Sequence, residues 1–232
     1  MSESAVPEFA ASEPLTVHVW SDVACPWCYI GKRHLEDGIV DFVESGTPPV
    51  DVTFHSFLLS PDTPEDFEGS ALDFLVDHKG ITRDGAARLQ DEVARVAAEA
   101  GLQFDFSSQQ VASTRKAHQV LHLAYDRGLQ YDLKERLLRA HFCEGRHVGR
   151  DDDLVDLAAD VGLDAAEVRG ALDDGRYQPA VEQDLELARS LGVTGVPFFV
   201  IDRRFAITGA QPAAVFSEVL ARAVASREAS AD

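Results

Sequence analysis

Leu15-Thr16-Val17-His18-Val19-Trp20-Ser21-Asp22-Val23-Ala24-Cys25-Pro26-Trp27-Cys28 is the stretch from which the fold is read. Leu15, Val17 and Val19 alternate with Thr16 and His18 before Trp20, the period of a half-buried strand. Two cysteines three positions apart follow at once, with a proline after the first. Proline suits a first helical turn, where its missing N–H forfeits no hydrogen bond, so a helix is expected to begin at or near Cys25. Leu35, Ile39, Phe42 and Val43 carry that helix forward until Gly46-Thr47-Pro48-Pro49 stops it. Val50, Val52 and Phe54 then alternate with Asp51, Thr53 and His55 in a second strand. Residues 15–57 therefore read as a βαβ unit.

From Leu58 to about Leu191 the pattern is helical. Leu89, Val93, Val96 and Ala100 form one stripe, and Ala117, Val120, Leu121, Ala124 and Tyr125 another. Leu133, Leu137 and Ala140 follow, then Leu154, Leu157, Ala158 and Val161, and last Val181, Leu185, Ala188 and Leu191. Strand character returns in Pro197-Phe198-Phe199-Val200-Ile201, an apolar run suited to a strand covered on both faces. Asp202-Arg203-Arg204 turns the chain into a short strand, Phe205-Ala206-Ile207, and a final helix is expected from Pro212 through Val224. The expected fold is α/β: a discontinuous β-α-β … β-β-α domain (15–57 and 193–227) interrupted by a large all-helical insertion (58–192). Residues 1–14 and 228–232 read as flexible tails.

A C-x-x-C pair after a strand and at a helix start is the sequence context of redox chemistry. Cys25 meets unpaired backbone N–H groups and the positive end of the helix dipole, so its pKa is expected below that of a free thiol. Cys28 lies almost one turn further on, close enough to bond Cys25 and expected to be too deep to be attacked first. The implied chemistry is thiol–disulfide exchange through a mixed disulfide. Trp27 brings no positive charge to the Cys25 thiolate, so a less oxidising couple is expected than with histidine there. In Gly195-Val196-Pro197, a proline opening a buried strand can be cis. That turn is expected to face the first helix's N-terminus, with the Val196 backbone free to pair with an extended substrate. Trp20 reads as core; Trp27 reads as exposed and in contact with substrate.

Charge and composition exclude several classes. The chain has 232 residues with 40 acidic against 21 basic side chains, a net charge of −19. Nucleic acid and anionic membrane surfaces are therefore unfavourable partners. No secretory signal or spanning segment is apparent, and three cysteines form no disulfide scaffold, so a cytoplasmic location is expected. No metal is assigned: His118 and His122 share a helical spacing without a third ligand, and His141, Cys143 and His147 fix no geometry. Cys143 reads as a buried small hydrophobe and Arg115-Lys116 as a surface pair.

Taken together, Val17 to Gly31 resembles the start of DsbA-family oxidoreductases of the cytoplasmic, FrnE-like branch. Gly192-Val193-Thr194-Gly195-Val196-Pro197-Phe198-Phe199 is similar to that family's cis-proline loop, and Thr114-Arg115-Lys116-Ala117-His118 and Glu144-Gly145-Arg146 are similar to stretches of its helical insert. The resemblance implies a thioredoxin-like fold with Cys25 as nucleophile, Cys28 as resolving thiol and Pro197 cis. It makes Pro26, Trp27, Val196 and Pro197 the substrate-binding positions. It also implies no cofactor beyond a redox-active Cys25–Cys28 disulfide, with glutathione admissible as co-substrate. Expected partners are thiol- or disulfide-containing proteins or small molecules, and a homodimer is compatible with the exposed faces. Hydroxychromene-carboxylate isomerases and kappa-type glutathione transferases share the architecture but usually carry serine in place of Cys25. A glutathione-dependent isomerase or transferase is thus the alternative.

Overall fold

In a computed structural model describing residues 13–43 and 47–229, β1 (Leu15–Ser21), α1 (Pro26–Phe42) and β2 (Val50–Ser56) follow one another as the alternation implies. The helices α2 (Ala71–Lys79), α3 (Arg83–Glu99), α4 (Arg115–Asp126), α5 (Gln130–Cys143), α6 (Asp151–Ala159), α7 (Ala165–Asp173) and α8 (Gln178–Ser190) come next. The chain closes with β3 (Phe198–Ile201), β4 (Phe205–Thr208) and α9 (Ala213–Glu228). The sheet runs β2-β1-β3-β4, with β1 parallel to β2 and antiparallel to β3. Val17 pairs with Val52 on one side and Ile201 on the other, so β1 is central and the site that follows it starts from the middle of the sheet.

Both faces of the sheet are covered. On one, Val17, Val19, Phe199 and Ile201 pack with Leu35 and Phe42 of α1 and Phe216 and Leu220 of α9. On the other, Trp20 stacks on His55 at 4.6 Å and packs with Ala188 of α8 and Val193. The α8 backbone is fixed there through Asp184, whose carboxylate takes the Ser56 N–H at 2.7 Å and pairs with His55 Nδ1 at 2.7 Å. The outer edge of β2 is not left open. The Gln130 amide both donates to and accepts from the Phe54 backbone at 2.9 Å, which supplies part of the pairing an edge strand lacks.

Helix α1 presses against α9 so closely that only glycine fits at position 38. A Cβ there would sit 2.6 Å from Phe216 Cβ and 2.7 Å from the Ala213 carbonyl oxygen. The opposite flank of α1 is polar yet buried. Lys32 lies between Glu36 at 2.6 Å and Glu135 at 2.7 Å, and Tyr29 donates to Glu135 at 2.7 Å, so α5 is tied to α1 by ion pairs.

Three expectations are corrected. Helices α2 and α7 went unread because each buries only one or two side chains (Ala71; Val168 and Ala171) and so shows no stripe, although each carries a start signal. Ser70 and Asp73 form a reciprocal capping box, and Asp164 accepts the Glu167 N–H at 2.8 Å. Pro212 is the residue before α9 rather than its first helical position, with ψ at 153°. The proposed tails lie mostly outside the described residues. Within them, α9 reaches Glu228, and Arg227 donates to the Glu13 and Pro14 carbonyls at 2.7 and 3.0 Å.

Gly38→Ala should destabilise the chain by about 1–3 kcal/mol, because neither the Phe216 Cβ nor the Ala213 backbone can yield cheaply. Urea denaturation would check it; an unchanged midpoint would mean that α1 and α9 separate without cost.

Candidate functional site

Cys25 occupies the residue before α1, in extended backbone, and Pro26 opens the helix. The Cys28 N–H donates to the Cys25 carbonyl at 3.0 Å, so the first turn draws the two residues together. Both are free thiols. Across from them, the Val196–Pro197 peptide is cis, and the Cys25 Sγ donates to the Val196 carbonyl at 3.6 Å. Gly31 permits this approach: a Cβ there would lie 2.9 Å from the Pro197 ring. Cys25, Cys28, Pro26, Val196 and Pro197 thus meet in one place, while Trp27 stands 38% exposed beside them.

The expected contrast in depth is absent. Cys25 is 2% exposed and Cys28 is 3%, since the Val196 loop covers the first sulfur as fully as the helix covers the second. The expected depression of the Cys25 pKa also fails. Its hydrogen bond with Cys28, and then burial, push the Cys25 thiol up. Burial works against a thiolate at Cys28 too, but the hydrogen bond from Cys25 and the charge of Lys134 outweigh it and hold Cys28 below the ordinary thiol range. Within the pair, loss of a proton is therefore favoured at Cys28 over Cys25 in this arrangement.

Two charged groups under the thiols were missed by the sequence. Lys134, on α5, is fully buried; its ammonium donates to the Ser21 carbonyl at 3.3 Å and lies 5.7 Å from the Phe54 ring centre. Burial lowers its pKa, and the adjoining Cys28 and Asp22 pull in the opposite direction. Asp22 is 2% exposed and collects four donors. Its Oδ1 accepts from the Ala24 N–H at 3.3 Å, the Thr114 hydroxyl at 2.7 Å and His118 Nε2 at 3.3 Å, and its Oδ2 from the Leu59 N–H at 2.8 Å. Burial raises the Asp22 pKa, yet these donors, His118 first, hold it at about 2. Thr114 is the N-cap of α4 and His118 lies four residues on, so the first turn of the helix aims both at one carboxylate. Their spacing was a readable signal, but Asp22 as their target was not.

The remaining sequence candidates lie elsewhere. His122 is directed to Asp184 at 3.1 Å, and His147 to Asp66 at 2.9 Å. Lys116 is paired with Glu65 and Asp151, and Arg115 with Glu182. Cys143 packs against the core around Phe142 but is only half-buried, so the reading of it as a buried small hydrophobe is corrected in its depth. Next to the thiols, Pro26 and Trp27 border a cavity of about 280 Å³ whose far walls come from α2, α3 and α5. Among the described residues, no helix is long and apolar enough to cross a membrane.

The Asp22 cluster gives a pH dependence. A carboxylate held at about 2 when folded, against 3.8 when free, contributes about 2 kcal/mol of stability above pH 4. That contribution is lost as the pH falls from about 4 towards 2. Acid-unfolding curves should therefore be shallower over that interval in Asp22→Asn than in the parent; parallel curves would place the acid sensitivity at other carboxylates.

Comparison with known proteins agrees with this geometry. The model of the DSBA-like thioredoxin domain matches residues 16–221. A crystal structure of a probable DsbA oxidoreductase from Streptomyces coelicolor is 39% identical, with a TM-score of 0.84, and covers 91% of this chain and 90% of its own. The cytosolic disulfide reductase DsbM of Pseudomonas aeruginosa, solved with GSH, shares the fold at 22% identity and a TM-score of 0.62, over 90% of this chain and 98% of its own. The uncharacterised protein YwbO of Bacillus subtilis is 29% identical over 195 residues, 81% of this chain and 88% of that protein. With the match running from β1 into α9 and enclosing both cysteines and the Val196–Pro197 turn, the chain belongs to the family of DSBA-like thioredoxin domains.

Proposed function

We propose that the protein is a thiol–disulfide oxidoreductase acting through Cys25 and Cys28. The observation that carries this is the pair of free thiols at the start of α1, with the Cys25 sulfur held on the Val196 carbonyl of the cis Val196–Pro197 turn. In the reducing direction Cys25 gives up its proton and the resulting thiolate attacks a disulfide sulfur. One sulfur leaves as thiolate and takes a proton from solvent, and a mixed disulfide remains on Cys25. Cys28, whose thiolate the charge of Lys134 favours, then loses its proton and attacks the Cys25 Sγ. The second substrate thiolate leaves and the Cys25–Cys28 disulfide closes. The substrate disulfide gains two electrons and the dithiol loses two; the reverse sequence oxidises a dithiol.

The burial of Cys25 sets a condition on the first step: an incoming substrate must displace the contact between its sulfur and the Val196 carbonyl. An extended segment can do so by offering its own backbone to Val196, which supports Val196 and Pro197 as substrate-binding positions. Lys134 has a separate role. Its ammonium neutralises charge that builds on Cys28, and it acts through that sulfur rather than on substrate. A cytoplasmic setting belongs to this reading, supported by the three-cysteine composition and by the fold shared with a cytosolic reductase.

The deciding experiment is the redox equilibrium of the purified chain in graded glutathione buffers, followed by tryptophan fluorescence. A reversible two-electron transition is expected, lost in Cys25→Ser. Cys28→Ser should accumulate a mixed disulfide instead of turning over. Catalysis that persists undiminished in Cys28→Ser would favour the glutathione-dependent isomerase or transferase and overturn the dithiol mechanism. Lys134→Met should raise the pKa of the thiolate, read by ultraviolet absorbance against pH, by about 1. An unmoved titration would show that Lys134 only fills space.

A further inference from the structure

We propose that the Ser21 hydroxyl is a donor kept for the Cys28 thiolate, and that it helps make Cys28 the leaving sulfur when a thiol opens the Cys25–Cys28 disulfide. The proposal rests on the dithiol reading for its place in the reaction, though not for the contact itself.

Alternation along β1 carries Ser21 to the same face as Val17 and Val19, the face that α1 covers. Apolar side chains fill those two positions, and a buried hydroxyl takes the third. Its oxygen is sealed from solvent and has no hydrogen-bond partner in the reduced protein. Such an orphaned hydroxyl carries a cost that alanine would avoid, so its presence calls for a second state in which it is satisfied. The Cys28 sulfur adjoins it, and the Ser21 hydroxyl and the Asp22 N–H both favour the charged form of that sulfur. A protonated thiol is a weak acceptor and a thiolate a strong one, so the contact is completed only when Cys28 carries charge. Lys134 stands beside the same residue, donating to the Ser21 carbonyl at 3.3 Å.

Depth does not distinguish the two sulfurs, so their partners must. Cys25 faces groups that oppose a thiolate: the Val196 carbonyl, an acceptor at 3.6 Å, and the charge of Asp22. Cys28 faces donors: the Ser21 hydroxyl, the Asp22 N–H and the Lys134 ammonium. When an attacking thiolate bonds to the Cys25 Sγ, the Cys25–Cys28 bond breaks and its electron pair goes to Cys28. The Ser21 O–H turns to that sulfur without giving up its proton. Attack at Cys28 would send the pair to Cys25 instead, towards a carbonyl and a carboxylate. Ser21 thus gives direction to a disulfide whose two sulfurs are equally covered.

The test compares Ser21→Ala and Ser21→Thr with the parent, all carrying Cys143→Ala so that the pair holds the remaining thiols. In versions that also carry Cys25→Ala, ultraviolet absorbance against pH reads Cys28 alone. Its pKa should rise by about 1 in Ser21→Ala and stay near the parent's in Ser21→Thr, which keeps the hydroxyl. With both cysteines present and the pH above that pKa, the equilibrium with glutathione should move about tenfold towards the disulfide in Ser21→Ala, or about 30 mV. The shift should fade as the pH falls and Cys28 stays protonated. Reduction of the disulfide by dithiothreitol should slow about threefold. With Cys28 protonated, the urea midpoint of reduced Ser21→Ala should match or exceed the parent's, because an orphaned hydroxyl has been removed. An unmoved Cys28 titration would overturn the proposal, as would a lower urea midpoint joined to a change in the glutathione equilibrium that ignores pH. Absence of a glutathione-linked transition in the parent, with the Cys28 titration still shifted by Ser21→Ala, would count against the oxidoreductase reading alone.

Discussion

The rest of the molecule is arranged around the buried carboxylate of Asp22. An isolated charge in such a place would cost several kcal/mol, so it persists only because four donors converge on it. Those donors come from the turn entering α1, the segment after β2, and the N-cap and first turn of α4. The sheet, α1 and the helical insertion therefore share one electrostatic contact. Its position, three residues before Cys25, makes the same contact the floor of the site.

Packing around that point is interlocked. Val23 belongs to the core formed by α4 to α7, Tyr29 and Ile30 to the core against α3 and α5, and Leu35 and Phe42 to the core between sheet and α9. A segment anchored in three cores has little freedom, which suits a first turn that must keep two sulfurs within bonding reach. Glycine at 31 and 38 lets this helix approach the Pro197 turn on one side and α9 on the other. The insertion also contributes chemistry. It supplies Lys134 beneath Cys28, His118 on Asp22 and most of the cavity wall beside Trp27.

The environment of the thiols shows how opposing terms balance. Helix-start geometry favours a thiolate at Cys25, but the hydrogen bond with Cys28, burial and, to a smaller extent, Asp22 oppose it, while Lys134 favours charge at Cys28. Local sequence reasoning sees the helix and not the burial or the neighbours, and so it expected a depressed pKa at Cys25.

Local rules determined a good deal. The period-two alternation in Leu15–Trp20 and Val50–His55, the proline after Cys25 and the continuous apolar run after Pro197 placed β1, β2, β3 and the start of α1, because such signals depend on near neighbours along the chain. The cysteine motif with the Val196–Pro197 turn brought the thiol residues to notice for the same reason. Helices α2 and α7 escaped because each turns only one or two side chains into a core, too few for a stripe. Asp22 and Lys134 escaped because each looks like an ordinary surface residue until its surroundings are known: a carboxylate and an ammonium take their character from burial and from partners far away in sequence. The chain by itself thus specified a helix opened by a cysteine pair on a mixed sheet. Tertiary structure alone decided which charges lie under the sulfurs, how deeply Cys25 is covered and what shape of cavity adjoins it, since these depend on long-range packing that no local pattern records.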